Sequence, residues 1–404
     1  MHAGSLPRPD DVREMVAAKA NGDPYDKAML AQRLPEAVAE VVQKQLAVNL
    51  DSINDGEFSK TNFTNYAKER LGGIDIRTFA PGNGPIPLQI SGRDRVEFPG
   101  YFDLGFGSGR PRDKQAFCVA PLTYAGGATV ATDIANFKAA LQGADAVEPF
   151  LPAVAPGSVE HWLWNEHYRT QEGFVYAIAD VMHEEYQAIT DSGLLLQIDD
   201  PDMFDSWQLY PGQTFAEYRK YAEMRVEALN HALRGIPKDR VRLHVCWGSY
   251  HGPHKFEIPL TEVVDLFLSV NAGAFSIEAS NPAHDHEWVV WKDVKLPDDA
   301  ILIPGVVGHA SDFIEHPQLV AQRLICYAEI VGRENLMAGT DCGIGHALAT
   351  NPSPGANSKP SPKAPASPAT TSGGSAPAHF KAKNTEGCQS QPSVFGLTRA
   401  SLSL

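Results

Sequence analysis

Several things are scarce in this chain of 404 residues. There are five cysteines, an odd number and too few to staple a fold of this size, which excludes a disulfide framework and fits a reducing compartment. No apolar run approaches the roughly 18 residues that a membrane span requires. The opening Met1-His2-Ala3-Gly4-Ser5 lacks the apolar core of a secretory signal. A cytoplasmic protein with no membrane partner is the expectation. Basic charge is also short. The net charge is −15, so nothing could neutralise phosphates, and nucleic acid is excluded as a partner. The deficit is uneven: residues 351–404 hold five basic side chains and one acidic, leaving −19 to the first 350.

What is present is an apolar fraction of 43% with six tryptophans, enough for one large α/β domain. Strand-like apolar runs at 50–55, 117–123, 194–199, 241–246, 274–278, 301–307 and 336–342 alternate with helical patterns. Those helices are expected at 34–46, 132–141, 171–191, 213–234, 260–271 and 316–331, with Asp10 capping an earlier one. Strands this continuously apolar, each followed by a helix, are the mark of parallel βα units. Seven strand ends, at Asp55, Thr123, Asp199, Cys246, Glu278, Val307 and Cys342, predict a (β/α)8 TIM-type barrel incomplete at both ends. A first strand would have to precede Gly4, and the last helix is replaced by other sequence. Two barrel edges are then expected to lie unpaired. The Gly-, Pro- and Arg-rich stretch 72–115 reads as an excursion over the site. The domain division is 1–346 for the barrel and 347–404 for a tail. Pro, Ser, Ala, Thr and Gly dominate 350–378, so the tail cannot bury an apolar face and is expected to be disordered.

Polar residues gather at the strand ends, where such a barrel keeps its active site. His244 and Cys246, two apart on one strand, project to the same side. Glu278 and Cys342 end later strands. An imidazole, two thiols and a carboxylate make an N/S/O set suited to Zn²⁺. The plain alternative is a buried histidine and a cysteine serving as a small hydrophobe; four matching strand ends favour the metal. A closed structural zinc site fits less well, because such sites use close C-x₂₋₄-C pairs. Asp55, Glu57, Asp199 and Asp200 are either substrate ligands or solvated strand-end carboxylates. Cys118 and Cys326 read as core, Cys388 as tail, and most tryptophans as core. His161, His167, His251, His254, His284 and His286 read as surface, and Glu184 and Glu185 as a solvated helix face.

Gly-Ser-Leu-Pro-Arg-Pro (4–9), Asp-Gly-Glu (55–57), Gln-Ile-Asp-Asp-Pro (197–201), His-Val-Cys (244–246), Ser-Ile-Glu (276–278), Pro-Gly-Val (304–306) and Asp-Cys-Gly (341–343) occur in that order. Together they resemble the catalytic zinc barrel of the cobalamin-independent methionine synthase family, from Gly4 to about Gly345. The resemblance implies that His244, Cys246, Glu278 and Cys342 bind zinc. It implies that Glu57 and Asp199 hold the amino group of homocysteine and that Ser5 lies in the loop meeting its carboxylate. The implied function is transfer of a methyl group to a substrate thiol, in methionine biosynthesis. The implied partners are a homocysteine-like thiol and a methyl or alkyl donor.

Three departures stand out. The long folate-binding N-terminal half is absent, as in shorter members. The acid histidine of the long synthases would fall at Ala310, leaving the adjacent His309 as the candidate, so folate as the donor is not carried over. The first strand and last helix of the barrel are missing or replaced. The chemistry itself follows from the ligand set: a free thiol is mostly protonated at neutral pH, and zinc holds it as thiolate. Alternatives are a zinc thiol alkyltransferase with another thiol or donor, as in epoxide:coenzyme M transferases, and a zinc-binding but inactive homologue. A metal-free decarboxylase of the uroporphyrinogen type is disfavoured by His-x-Cys, because decarboxylation needs no thiolate ligands.

Overall fold

A computed structural model describes residues 1–80, 92–103, 114–248, 252–311 and 313–345. Among these residues the strands, in chain order, are β1 (Ser52–Ile53), β2 (Leu71–Thr78), β3 (Lys114–Tyr124), β4 (Glu148–Val154), β5 (Leu163–Asn165), β6 (Leu195–Asp199), β7 (Val241–Val245), β8 (Ala274–Glu278), β9 (Ile301–Val307) and β10 (Gly339–Thr340). Seven of them form one sheet in the order β1-β4-β6-β7-β8-β9-β10. Every neighbouring pair is parallel, and spatial order follows chain order. That progression is a (β/α)8 barrel one strand short of closure. Register brings the functional ends level: Val154 faces Asp199, Asp199 faces His244, and His244 faces Ser276.

Two expectations change here. The run 117–123 is a strand, but it lies in β3 of a separate three-stranded sheet, β2-β3-β5. The barrel position belongs to β4, Glu-Pro-Phe-Leu-Pro-Ala-Val. Its two prolines read as turn residues, since proline lacks the ladder donor and is rare inside sheets. The sheet accepts them because β4 pairs with both neighbours around them and buries Phe150, Leu151, Ala153 and Val154. The described part of the stretch 72–115 runs from β2 to the start of β3, its antiparallel partner, with two short helices, Gly92–Glu97 and Pro99–Asp103, between them. Asp10 is the first residue of its helix rather than the cap. The cap position is Pro9, which makes no side-chain bond.

The core lies between the barrel sheet and its helices. The helix Gln171–Asp191 buries Phe174, Val175, Ile178, Ala179, Val181, Met182, Tyr186 and Ile189 along one stripe. A smaller cluster joins Leu6, Val12, Val16, Leu30, Ala37, Val41 and Phe58, which anchors the β1 loop beside the site. The gap between β10 and β1 is spanned by residues 1–4 without a ladder. Met1 N donates to Ala338 O at 2.7 Å, Ala3 N to Thr340 Oγ1 at 3.0 Å, and Asn54 Nδ2 to Gly4 O at 3.1 Å. No described helix is long and apolar enough to cross a membrane. The tail division at 347–404 lies outside the described residues.

Candidate metal centre

β7 is buried on both faces, as a central parallel strand must be, so His244 enters the barrel mouth with little freedom. Its Nδ1 pairs with Ser276 Oγ on β8 at 3.1 Å, while Nε2 is buried with no hydrogen-bond partner. That fixes ring orientation and aims one nitrogen inward, the usual support of a metal-bound imidazole. Cys246 follows β7, and Cys342 stands two residues beyond β10. One imidazole nitrogen and the two sulfurs all lie within 4.8 Å of one another.

Glu278 stands in an adjoining group with His309 and Asp341, its ligand atoms also within 4.8 Å. Its Oε2 accepts from Trp247 N–H at 2.9 Å, while Oε1 is buried without a hydrogen-bond partner. Asp341 Oδ1 accepts from Ala279 N and Ser280 N, at 2.7 and 2.9 Å, which ties the β10 end to the β8 end. His309, taken from the sequence only as a neighbour of the acid-histidine position, is buried beside these carboxylates.

Electrostatics match this grouping. The Cys342 thiol is held well below its ordinary range by hydrogen bonding with Cys246, with His309 and His244 acting the same way against burial. Cys246 is pushed well above its range by the same bond and by burial. A divalent cation binding there would take the place of the proton between the two sulfurs. Burial pushes Asp341 up to about 7 and, reinforced by Asp341 and Glu257, raises Glu278 well above the carboxylate range. The N/S/S set, with orphaned buried atoms at His244 Nε2 and Glu278 Oε1, fits a borderline-soft metal ion.

A second layer braces the centre. Trp247 Nε1 donates to Ile258 O at 2.7 Å, and its ring stacks on His284 at 3.6 Å. His284 bonds Glu287 at 2.7 Å and Glu257 at 3.0 Å. Burial would lower its pKa, but those two carboxylates lift it to about 9. The surface expectation for His284 and His161 therefore fails, since both are buried. A lone histidine has no spacing signal, and one of the two partners of His284, Glu257, comes from another segment. Glu185 is buried too, paired with Arg70 at 3.1 Å and Tyr124 at 2.7 Å, whereas Glu184 is exposed as expected.

Beside the metal group lies the loop that follows β1. Gly56 and Glu57 both take left-handed backbone, φ 70° and 58°. For a glutamate that conformation is sparsely populated, and side chains of the loop hold it: Asn54 Oδ1 accepts from Gly56 N, and Asp55 Oδ1 from Glu57 N. A Cβ on Gly4 would fall 2.5 Å from Glu57 Oε1, so residue 4 must be glycine for the two segments to meet. Ser5 abuts the Cys342 loop in the same way, its Oγ 2.5 Å from where a Gly343 Cβ would stand. Asp199, at the end of β6, accepts from Gln197 Nε2 at 2.8 Å, and burial pushes its pKa up to about 7. Ser5, Glu57 and Asp199 thus converge on the side of the metal group. Asp200 turns away to Ser158 Oγ at 2.8 Å and Arg225. Lys60 was not singled out from sequence, and Gln197, Ser276 and Asp341 stood in the quoted motifs without a role of their own, although Gln197 shares a strand face with Asp199.

No family model matches the chain. It is 23% identical over 343 residues to a methionine synthase of Thermococcus kodakarensis, covering 84% of this chain and 85% of that one. A methionine synthase of Sulfolobus acidocaldarius is 22% identical over 348 residues, covering 84% of each. Among solved structures, a B12-independent methionine synthase from a Shewanella species, in complex with selenomethionine, superposes with TM-score 0.65 at 19% identity. It covers 85% of this chain and 90% of the other. The chain is similar in sequence to methionine synthases and shares its fold with B12-independent ones. A putative vitamin-B12-independent methionine synthase from Listeria monocytogenes superposes with TM-score 0.59 at 20% identity. At these identities the solved structures carry the fold, and they match this barrel over 85% of the chain.

Proposed function

We propose that the protein is a zinc-dependent S-methyltransferase of the methionine synthase type, moving a methyl group to the sulfur of a homocysteine-like amino acid. The observation that carries this reading is the N/S/S group of His244, Cys246 and Cys342 beside the converging carboxylates Glu57 and Asp199. His244, Cys246 and Cys342 would hold zinc, with Glu278 as a fourth ligand that yields to substrate. Zinc bound there supplies a substrate sulfur that stays thiolate, and so nucleophilic, near neutral pH. Glu57 and Asp199 grip the amino group, and Ser5 meets the carboxylate. The S–CH₃ bond forms as the bond from methyl to donor breaks, the electron pair stays on the donor atom, and where that atom is the nitrogen of an N-methyl donor it takes a proton. His309, buried with Asp341 and Glu278, is the residue placed to handle that proton. The catalytic unit is assigned to residues 1–346. The cytoplasm suits it, because paired ligand thiols stay reduced there.

The test is to purify the full chain with zinc and assay L-homocysteine against N-methyl, sulfonium and corrinoid methyl donors. One zinc per chain and a methyl thioether product are expected. Cys246→Ser and Cys342→Ser should each lose most of the zinc, because a hydroxyl is a poor ligand for a soft metal. Stoichiometric zinc in both variants would sink the site, and no thioether from any donor would sink the activity.

A further inference from the structure

Glu57 does not stand alone in the loop that follows β1. Lys60 is as buried as the glutamate, and its Nζ lies 3.6 Å from Glu57 Oε2. The ammonium donates to Pro152 O on β4 and sits 4.5 Å from the centre of the Tyr66 ring. Tyr66 in turn accepts from Val154 N at 3.0 Å, at the end of β4. Arg8 Nη2 donates to the backbone oxygens of Glu57 and Lys60, at 2.8 and 2.6 Å, closing the turn from outside. A buried ammonium is costly unless paired and hydrogen-bonded, and this one has both kinds of partner.

The charge balance gives the lysine its meaning. Asp55, Glu57 and Asp199 are all buried near it, and Lys60 acts on both Asp55 and Asp199 through its charge. Arg8 acts on Glu57 and Asp55 through its charge as well, so three carboxylates against two protein cations leave room for one more. A ligand amine fills that place. Lys60 also ties the turn bearing Glu57 to β4, the strand beside β6, which carries Asp199.

We propose that Lys60 is a positioning and specificity residue, holding Glu57 toward the acceptor and setting the pocket to take a thiol with a single positive charge. This rests on the reading of Glu57 as an amine ligand. A merely structural lysine would alter folding without distinguishing an amine-bearing thiol from an amine-free one.

The test measures binding to the zinc-loaded full chain by calorimetry, with L-homocysteine and its amine-free analogue mercaptobutyrate. Lys60→Met should weaken L-homocysteine about tenfold, the size of one charge-assisted contact. Mercaptobutyrate binding and zinc content should not move. Glu57→Gln should weaken L-homocysteine similarly. The double variant, which buries no lone charge and so folds even where Lys60→Met does not, should bind like Glu57→Gln alone. Wild-type binding by Lys60→Met, or a double variant losing the product of both effects, overturns the role of Lys60 and leaves Glu57 in place. Wild-type binding by Glu57→Gln overturns both.

Discussion

Two helices of similar apolar character meet different fates in this barrel. Gln171–Asp191 buries nine of its residues under the strands β4 and β6 and the helices beside it. Pro317–Val331, with Leu319, Val320, Leu324, Ile325, Ile330 and Val331, buries only Cys326 and Tyr327. The difference is in the neighbours. A barrel helix is covered from both sides, and after β10 no further helix stands among the described residues. The metal group straddles this contrast. His244 and Cys246 ride on the well-covered strand β7, while Cys342 hangs from the two-residue β10. One arm of the site is thus set by a dense core, the other by a thin seam.

The largest test of this contrast is packing. Phe174→Ala should cost about 3–5 kcal/mol, because a fully buried ring leaves a cavity, whereas Ile325→Ala should cost about 1 kcal/mol. Urea unfolding measures both, and equal costs would break the comparison.

The next test concerns acid and the seam. His2 is buried there, with Nε2 bonded to Gln45 Oε1 at 2.8 Å, and burial pulls its pKa down to about 4. The unfolded chain takes up its proton near 6.5, while the folded chain resists until about 4. Stability from this group is therefore full above pH 6.5 and falls as pH drops toward 4, by about 3 kcal/mol. His2→Gln should flatten that part of the stability–pH curve. An unchanged slope would place the acid sensitivity elsewhere.

The smallest effect sharpens the comparison at the site. In zinc-free protein, amides at 339–345 should exchange about tenfold faster than those at 241–246, since local opening follows contact density. Zinc should narrow the gap by tying Cys342 to β7. Equal exchange without metal would mean the seam is as firm as the core.

Much of this was readable in the residues alone. The strands β6 to β9 announce themselves because a central parallel strand is buried on both faces and reads as a continuous apolar run. β4 did not, because Pro149 and Pro152 imitate a turn, and its place went to the run at 117–123. The four residues proposed as metal ligands were legible by type and by their position at strand ends, and three of them meet in one group. His309 was a neighbour in sequence and became a neighbour of Asp341 only in space.

The sequence by itself determined the alternation of apolar strands and helices, the parallel barrel it implies, and the thiol–imidazole set at the strand ends. These are local facts, written in periodicity and residue type. Only the tertiary structure decided which carboxylates are buried together, that Lys60 lies against Glu57, that His284 stacks beneath Trp247, and that residues 1–4 span the seam. Burial and pairing are relations between distant segments. A side chain's charge, partner and orientation stay open until the fold brings those segments together.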